Sequence, residues 1–176
     1  MKRYFQLSLV ILAPYMILFA LVCIWTGFLM KSVFQNNGYL LIAVLAAFYL
    51  FAFISSLVTL LTGLIHKWSA REFLKANMII KLVHIPAYVL IFIIGLLAMI
   101  TIFTMAISFL LMLFDFLTIV ISGMIGLGGV IRAYQDKSLS RGMAVLYGIL
   151  QFIYVADVAI AVIAYLQAGK RTPEVR

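Results

Sequence analysis

Two aspartates, Asp115 and Asp157, are the residues of this chain whose type and position most clearly suggest chemistry. Both lie inside long apolar stretches, whereas the other acids and bases lie at the termini or in short polar breaks. A carboxylate in the hydrocarbon region of a bilayer costs at least roughly 2.5–3.5 kcal/mol on insertion scales. Each aspartate must therefore be paired, protonated or used in function.

The spacing of the two acids around the polar segment 132–141 predicts that they lie at nearly the same depth. If the flanking apolar segments form a hairpin, Asp115 and Asp157 face each other or one cavity. Two adjacent carboxylates cannot both ionise cheaply, so the site would hold a proton or bind a cation in its place. The candidate proton or cation site consists of these two acids with neighbouring hydroxyl side chains, namely Asp115, Asp157, Thr118, Ser122 and Tyr154.

A structural reading of the same acids stays open beside the functional one. Each would be protonated and hydrogen-bonded to a neighbouring polar group, holding helices together as polar residues do in membranes. The sequence offers no Lys or Arg that we expect at that depth as a partner.

Catalysis and metal binding are not expected. The acids lack the Tyr-Asp and Gly-x-Gly-Asp settings of intramembrane aspartyl proteases, and Ser122 has no base beside it. We expect His66 and His84 at the membrane interface, where they lack the further ligands that zinc requires. The single cysteine, Cys23, fits a buried core thiol. We therefore predict no enzyme activity, no catalytic residue, no metal and no cofactor.

The composition indicates one integral membrane domain over residues 1–176. The chain is 67% hydrophobic and 10% charged, with a mean hydropathy of +1.24. Soluble domains carry about 25% charged residues. The net charge of +8 fits the excess of Lys and Arg in cytoplasmic loops. Nucleic-acid binding is excluded, since the aromatic residues lie within the apolar segments instead of along a basic groove.

The apolar segments predict an all-α bundle of about five transmembrane spans with the N-terminus cytoplasmic and the C-terminus outside. A turn at Asn36-Asn37-Gly38 separates the first two spans, and a reversal near 104–108 separates the third from the fourth. We place Pro86 in the first turn of the third span. The predicted spans cover residues 4–30, 39–65, 82–104, 108–131 and 142–167.

The most charged segment, residues 66–81, predicts a short basic helix lying on the membrane surface between the second and third spans. Three of its cations fall on one helical face beside apolar residues, with Trp68 at headgroup depth. The candidate contacts to lipid headgroups are Lys67, Arg71, Lys75 and Lys81.

Small residues predict where helices approach closely. Ser122 and Gly126 are one turn apart, and Ala144 and Gly148 repeat the spacing. We favour a tight hairpin within the chain over a dimer interface. In the second span, Ser55, Thr59 and Thr62 form a polar stripe that either lines a water-filled path or bonds back to its own helix.

The segment from Asn77 to Tyr88 (NMIIKLVHIPAY) is similar to one in uncharacterised small multispan membrane proteins of Firmicutes-type bacteria. The resemblance implies residence in a bacterial plasma membrane and no specific activity. Two functions stay open. The first is an accessory, regulatory or assembly subunit that contacts the lipid bilayer and another membrane protein or a second copy of itself. The alternative is a small proton- or cation-linked transporter that uses Asp115 and Asp157.

Overall fold

The computed structural model describes residues 2–66 and 68–170, with side chains over 6–66 and 68–168, and these residues form helices joined by short turns. Four helices, α1, α3, α4 and α5, are long and apolar enough to cross a membrane. The helices are α1 (Lys2–Thr26), α2 (Phe28–Ser32), α3 (Gly38–Ile65), α4 (Ala70–Ala98), α5 (Ile102–Gln135), α6 (Arg141–Leu150) and α7 (Ala156–Lys170).

The first predicted turn is present, although it begins earlier than expected. Gly27, with φ +64°, ends α1 and separates it from the short α2, so the apolar segment 4–30 is not one helix. Gln35 and Asn36 then adopt positive φ. The side chain of Asn37 accepts a hydrogen bond from the amide of Leu40 at 3.2 Å and caps α3.

The described residues between α3 and α4 form no separate interfacial helix, which corrects the prediction for residues 66–81. Ser69 and Glu72 form a capping box that starts α4, and the helix continues unbroken for 29 residues. Residues 70–81 are therefore the first three turns of the third long helix. Pro86 accordingly lies in the interior of α4 and not in its first turn.

The reversal between α4 and α5 lies at residues 99–101, about five residues before the predicted position. The Ser and Thr side chains that we expected in the turn itself lie in α5 and form hydrogen bonds to the end of α4. Thr104 Oγ1 donates to the Ala98 carbonyl at 2.7 Å, and Ser108 Oγ donates to the Gly95 carbonyl at 2.5 Å. These hydroxyls satisfy backbone acceptors near the helix ends.

The fifth apolar element, predicted as the span 142–167, folds into two shorter helices that reverse direction. The chain turns over residues 151–155, where Val155 has φ +68°, and α7 then runs back beside α6. Tyr147 on α6 donates a hydrogen bond to Gln167 Oε1 on α7 at 2.9 Å. We call this unit the α6–α7 hairpin and residues 151–155 its tip.

The α6–α7 hairpin returns the chain to the end of the bundle where α4 begins. Ala164 near the end of α7 belongs to one apolar cluster with Ala70 of α4, Ala133 of α5 and Leu139 of the α5–α6 turn. We call this the basic end, because the exposed Arg71, Lys75, Lys137 and Arg141 lie there. For the described residues, which end at position 170, the prediction that the last apolar element ends on the opposite side is thereby corrected.

The start of α1 lies at the basic end as well. Gln6 Oε1 accepts a hydrogen bond from Thr59 Oγ1 at 3.4 Å, near the end of α3. Leu7 also lines a surface cleft with Lys75 of α4. The start of α1 and the end of α7 therefore lie on the same side of the bundle as the α3–α4 and α5–α6 connections. The positive-inside bias favours this distribution of basic segments.

Helices α4 and α5 pack together at the centre, with α1 and α3 on one side and the α6–α7 hairpin on the other. The glycines of α5 allow neighbouring segments to pack close to this helix. A Cβ at Gly123 would lie 2.8 Å from the Phe152 ring. A Cβ at Gly126 would lie 2.8 Å from Asn77 Nδ2, and Gly148 approaches Leu127. Gly123 and Gly126 of α5 therefore pack within the chain against residues 151 and 152 and against α4, whereas the only contact between α5 and α6 among these glycines is that of Gly148 with Leu127.

Candidate functional site

A buried ion pair joins α4 to the α6–α7 hairpin. Lys81 Nζ donates a hydrogen bond to Oδ2 of Asp157, which lies in the first turn of α7. The side chains are 0% and 1% exposed. Lys81 therefore does not face lipid headgroups, and the expectation that Asp157 has no cationic partner is wrong.

The helical period explains why Lys81 faces inward while its basic neighbours do not. Leu74, Asn77, Lys81 and His84 are spaced by three or four residues and are all buried. Arg71 and Lys75 fall on the exposed side of the same helix. The inward face could have been identified from this spacing if residues 70–81 had been assigned to the same helix as the third span.

Two further polar side chains of α4 are buried and bonded to other helices. Asn77 Nδ2 donates to Gln151 Oε1 at the tip at 3.0 Å. His84 Nε2 lies 3.1 Å from the carbonyl of Val10, so this nitrogen carries the proton and donates. The prediction that His84 lies at the membrane interface is wrong, whereas His66 is exposed.

Thr118 and Ser122, the hydroxyl candidates on α5, are fully buried but have other partners than the acids. Thr118 Oγ1 lies 2.8 Å from the Tyr49 hydroxyl, which also donates to the Ala13 carbonyl at 3.0 Å. Ser122 Oγ donates to the carbonyl of Thr118 at 2.8 Å. These contacts link α1, α3 and α5, and the hydroxyls are used in helix packing.

Asp115 is only partly buried and lines a cavity of about 380 Å³. The cavity lies between the second half of α4, the first half of α5 and the tip, which contributes Phe152 and Tyr154. Asp115 Oδ1 is buried without a hydrogen-bond partner. The group is close enough to Asp157 and Lys81 to interact with both electrostatically. The structure thus brings Asp115, Asp157 and Tyr154 to one region.

The polar stripe of α3 bonds mainly to its own helix. Thr59 Oγ1 donates to the Ser55 carbonyl at 2.8 Å, and Thr62 Oγ1 donates to the Val58 carbonyl at 2.6 Å. Ser56, which was not singled out from the sequence, instead crosses to α5 and donates to the Ile121 carbonyl at 2.5 Å. The hydroxyls of α3 are therefore engaged with backbone carbonyls.

Two of the remaining candidates for lipid contact lie at the basic end. Arg71 and Lys75 are exposed there. Lys67 lies outside the described residues. Arg132 bonds to the carbonyl of Leu64 at 3.0 Å and to Gln135 Oε1 at 2.8 Å, which ties α5 to the end of α3. The lipid contacts of Arg71 and Lys75 stay a prediction.

Comparison with known proteins gives a family and no activity. No curated protein and no solved structure is significantly similar to the chain. A protein family described only as a family of unknown function matches residues 3–171, which is nearly the whole chain. The chain therefore belongs to this family of unknown function, DUF6652.

Proposed function

We propose that this protein is a non-enzymatic accessory or regulatory subunit of an assembly in the plasma membrane. The fully buried ion pair between Lys81 and Asp157 carries this proposal. A charge pair sealed from solvent and shared by two helical elements fixes their relative position. Its burial separates Asp157 from solvent in the described structure.

The other interior polar groups support an assembly role in the same way. Asn77 and Gln151 join α4 to the tip, His84 joins α4 to α1, and Tyr49 joins α3 to α1. Hydrogen bonds between helices are a principal means of holding membrane bundles together. In the described bundle these groups connect helices through hydrogen bonds.

In the proposed orientation the basic end faces the cytoplasm. Arg71, Lys75, Lys137 and Arg141 are exposed there, in keeping with the positive-inside bias. A group of cations beside the cytoplasmic leaflet attracts anionic lipid, each residue contributing about 1 kcal/mol near the surface. The same surface suits an acidic segment of a partner protein.

A cation- or proton-linked transporter is the second candidate, and Asp115 is the observation that favours it. Its carboxyl group lines a cavity and has one unpartnered oxygen. The ten residues of α6 rise about 15 Å, half of the hydrocarbon thickness of about 30 Å, so the tip ends inside the bilayer. Broken helices at mid-membrane sites are common in transporters.

The two candidates are separated first by a flux measurement. Purified protein in liposomes is assayed for proton and monovalent cation flux, with wild type beside Asp115→Asn. The Asp115→Asn variant is chosen because Asp115 lies outside the Lys81–Asp157 pair. The accessory role predicts the background flux of empty liposomes for both proteins. Flux above background that disappears in the variant establishes transport and overturns the proposal.

The positive test is photo-crosslinking in the native membrane. A photoreactive residue replaces Arg71 or Lys75 at the basic end, and a control position, Ile102, lies at the opposite end of the bundle and is 85% exposed. The proposal predicts one discrete heteromeric adduct from the basic-end positions and none from Ile102. Absence of that adduct at both basic-end positions contradicts a cytoplasmic docking role.

A further inference from the structure

We propose that the cavity beside Asp115 binds a lipophilic organic cation, with the positive group held by the Asp115 carboxylate. This inference goes beyond the accessory role and does not depend on it. The cavity is bounded by α4, α5 and the tip of the α6–α7 hairpin. Three features carry the proposal, namely the unbalanced charge, the aromatic wall and the size of the cavity.

The charge near the cavity is unbalanced. Asp115 interacts electrostatically with the acid Asp157 and with the base Lys81. Lys81 forms its ion pair with Asp157. An ionised Asp115 therefore has no positive side chain of its own to balance its charge. The only basic residue of α5 is Arg132, 17 positions further along the helix and thus about 25 Å away. A bound cation would supply the missing positive charge.

The wall of the cavity suits a cation with apolar substituents. Four phenylalanines line it together with Tyr154, and aromatic faces attract cations. Asp115 is the one charged residue in this wall, and the nearby Ser108 hydroxyl already donates to the Gly95 carbonyl. A metal cation such as Ca²⁺ or Mg²⁺ would need several oxygen ligands, which this wall does not offer. The phenylalanines are Phe92, Phe109, Phe116 and Phe152.

The volume of about 380 Å³ fits a small molecule. Pockets for such ligands span about 300–1,000 Å³ and are mostly apolar with a few polar groups. A lipid acyl chain is the competing occupant, since it would fill the same apolar space. An acyl chain gains nothing from the Asp115 carboxylate, so the charge dependence of binding separates the two occupants.

The experiment measures equilibrium binding of tetraphenylphosphonium to the purified full-length protein in detergent micelles. Tetraphenylborate, an anion of closely similar shape, is the matched ligand control. We expect one saturable site for the cation on wild type and none for the anion. Asp115→Asn should weaken binding at least about tenfold, as expected for loss of a charged partner, whereas Asp115→Glu should retain saturable binding.

Two further variants control for charge and for folding. Asp136→Asn removes an exposed acid at the end of α5, far from the cavity, and should leave binding unchanged. Phe92→Leu removes one aromatic face at a position 55% exposed and should weaken binding about two- to fivefold. Thermal stability of each variant in the same detergent shows whether the protein is folded.

Three results would overturn the proposal. The first is the absence of saturable tetraphenylphosphonium binding to wild type. The second is wild-type affinity in a folded Asp115→Asn protein, which would leave the carboxylate without a role. The third is equal binding of tetraphenylborate, which would identify an apolar site for acyl chains.

Discussion

The hydroxyl of Tyr147 on α6 donates a hydrogen bond to Gln167 Oε1 on α7 at 2.9 Å. The two residues are 20 positions apart, so in one continuous helix they would be separated by about 30 Å. The contact therefore requires the chain to reverse at the tip, which places the end of α7 on the same side as the start of α6.

This reversal predicts that a reporter fused to the C-terminus lies on the same side of the membrane as a reporter inserted after Asp136. A reporter inserted after Asn36, in the turn before α3, should lie on the opposite side. Fluorescent-protein and alkaline-phosphatase fusions in intact cells measure sidedness directly. A C-terminal reporter on the Asn36 side would show that residues 141–170 cross the membrane once.

Loss of one member of the buried ion pair should destabilise the bundle strongly. We expect Lys81→Met to lower the free energy of unfolding by about 3–5 kcal/mol, because Asp157 then loses its buried counter-charge. Unfolding in detergent micelles measures the effect. Lys75→Met, on the exposed side of the same helix, is the control and should change stability by less than about 0.5 kcal/mol.

The double variant Lys81→Met, Asp157→Leu distinguishes a missing partner from a general loss of packing. Replacing both charges with apolar groups of similar size should recover much of the stability lost in Lys81→Met. If the double variant is as unstable as the sum of the two single variants, the two side chains are not energetically coupled.

A methyl group at Gly126 should interfere with packing of the tip. A Cβ there meets the side chains of Gln151 and Asn77, so Gly126→Ala should destabilise the protein by about 1–3 kcal/mol. Gly142→Ala is the matched control, since nothing lies within 4 Å of its Cβ position. Equal thermal stability of the two variants would show that α5 and the tip do not pack closely.

Removing the Tyr49 hydroxyl should weaken the contact among α1, α3 and α5. Tyr49→Phe loses hydrogen bonds to Ala13 and Thr118 in the protein interior, and we expect a loss of about 1 kcal/mol. Tyr39→Phe, at a side chain 86% exposed, should leave the unfolding transition unchanged. A Tyr49→Phe protein as stable as wild type would argue against a bonded hydroxyl.

The long apolar elements could be predicted from the sequence because each depends on local properties. Uninterrupted apolar runs indicate helices of membrane-spanning length, and Asn36-Asn37-Gly38 supplies residues that accept positive φ and cap α3. The importance of Asp115 and Asp157 was also evident, since charges within such runs are rare.

The reversal at residues 151–155 depends on contacts between helices and could not be predicted from the local sequence. This segment contains neither Gly nor Pro, and Val155 adopts a positive φ that its side chain disfavours. Contacts across the bundle compensate, because Gln151 bonds to Asn77 and Asp157 pairs with Lys81. Those partners lie more than 70 residues earlier in the chain, so a local sequence pattern could not reveal them.

The surroundings of the two aspartates likewise depend on the tertiary structure. The amino-acid sequence alone places Asp115 and Asp157 in apolar segments, where an isolated charge is costly. Only the packing of α7 against α4 gave Asp157 the cation Lys81 and left Asp115 beside a cavity. The physical reason is that hydropathy depends on neighbours along the chain, whereas the pairing of charges depends on neighbours in space.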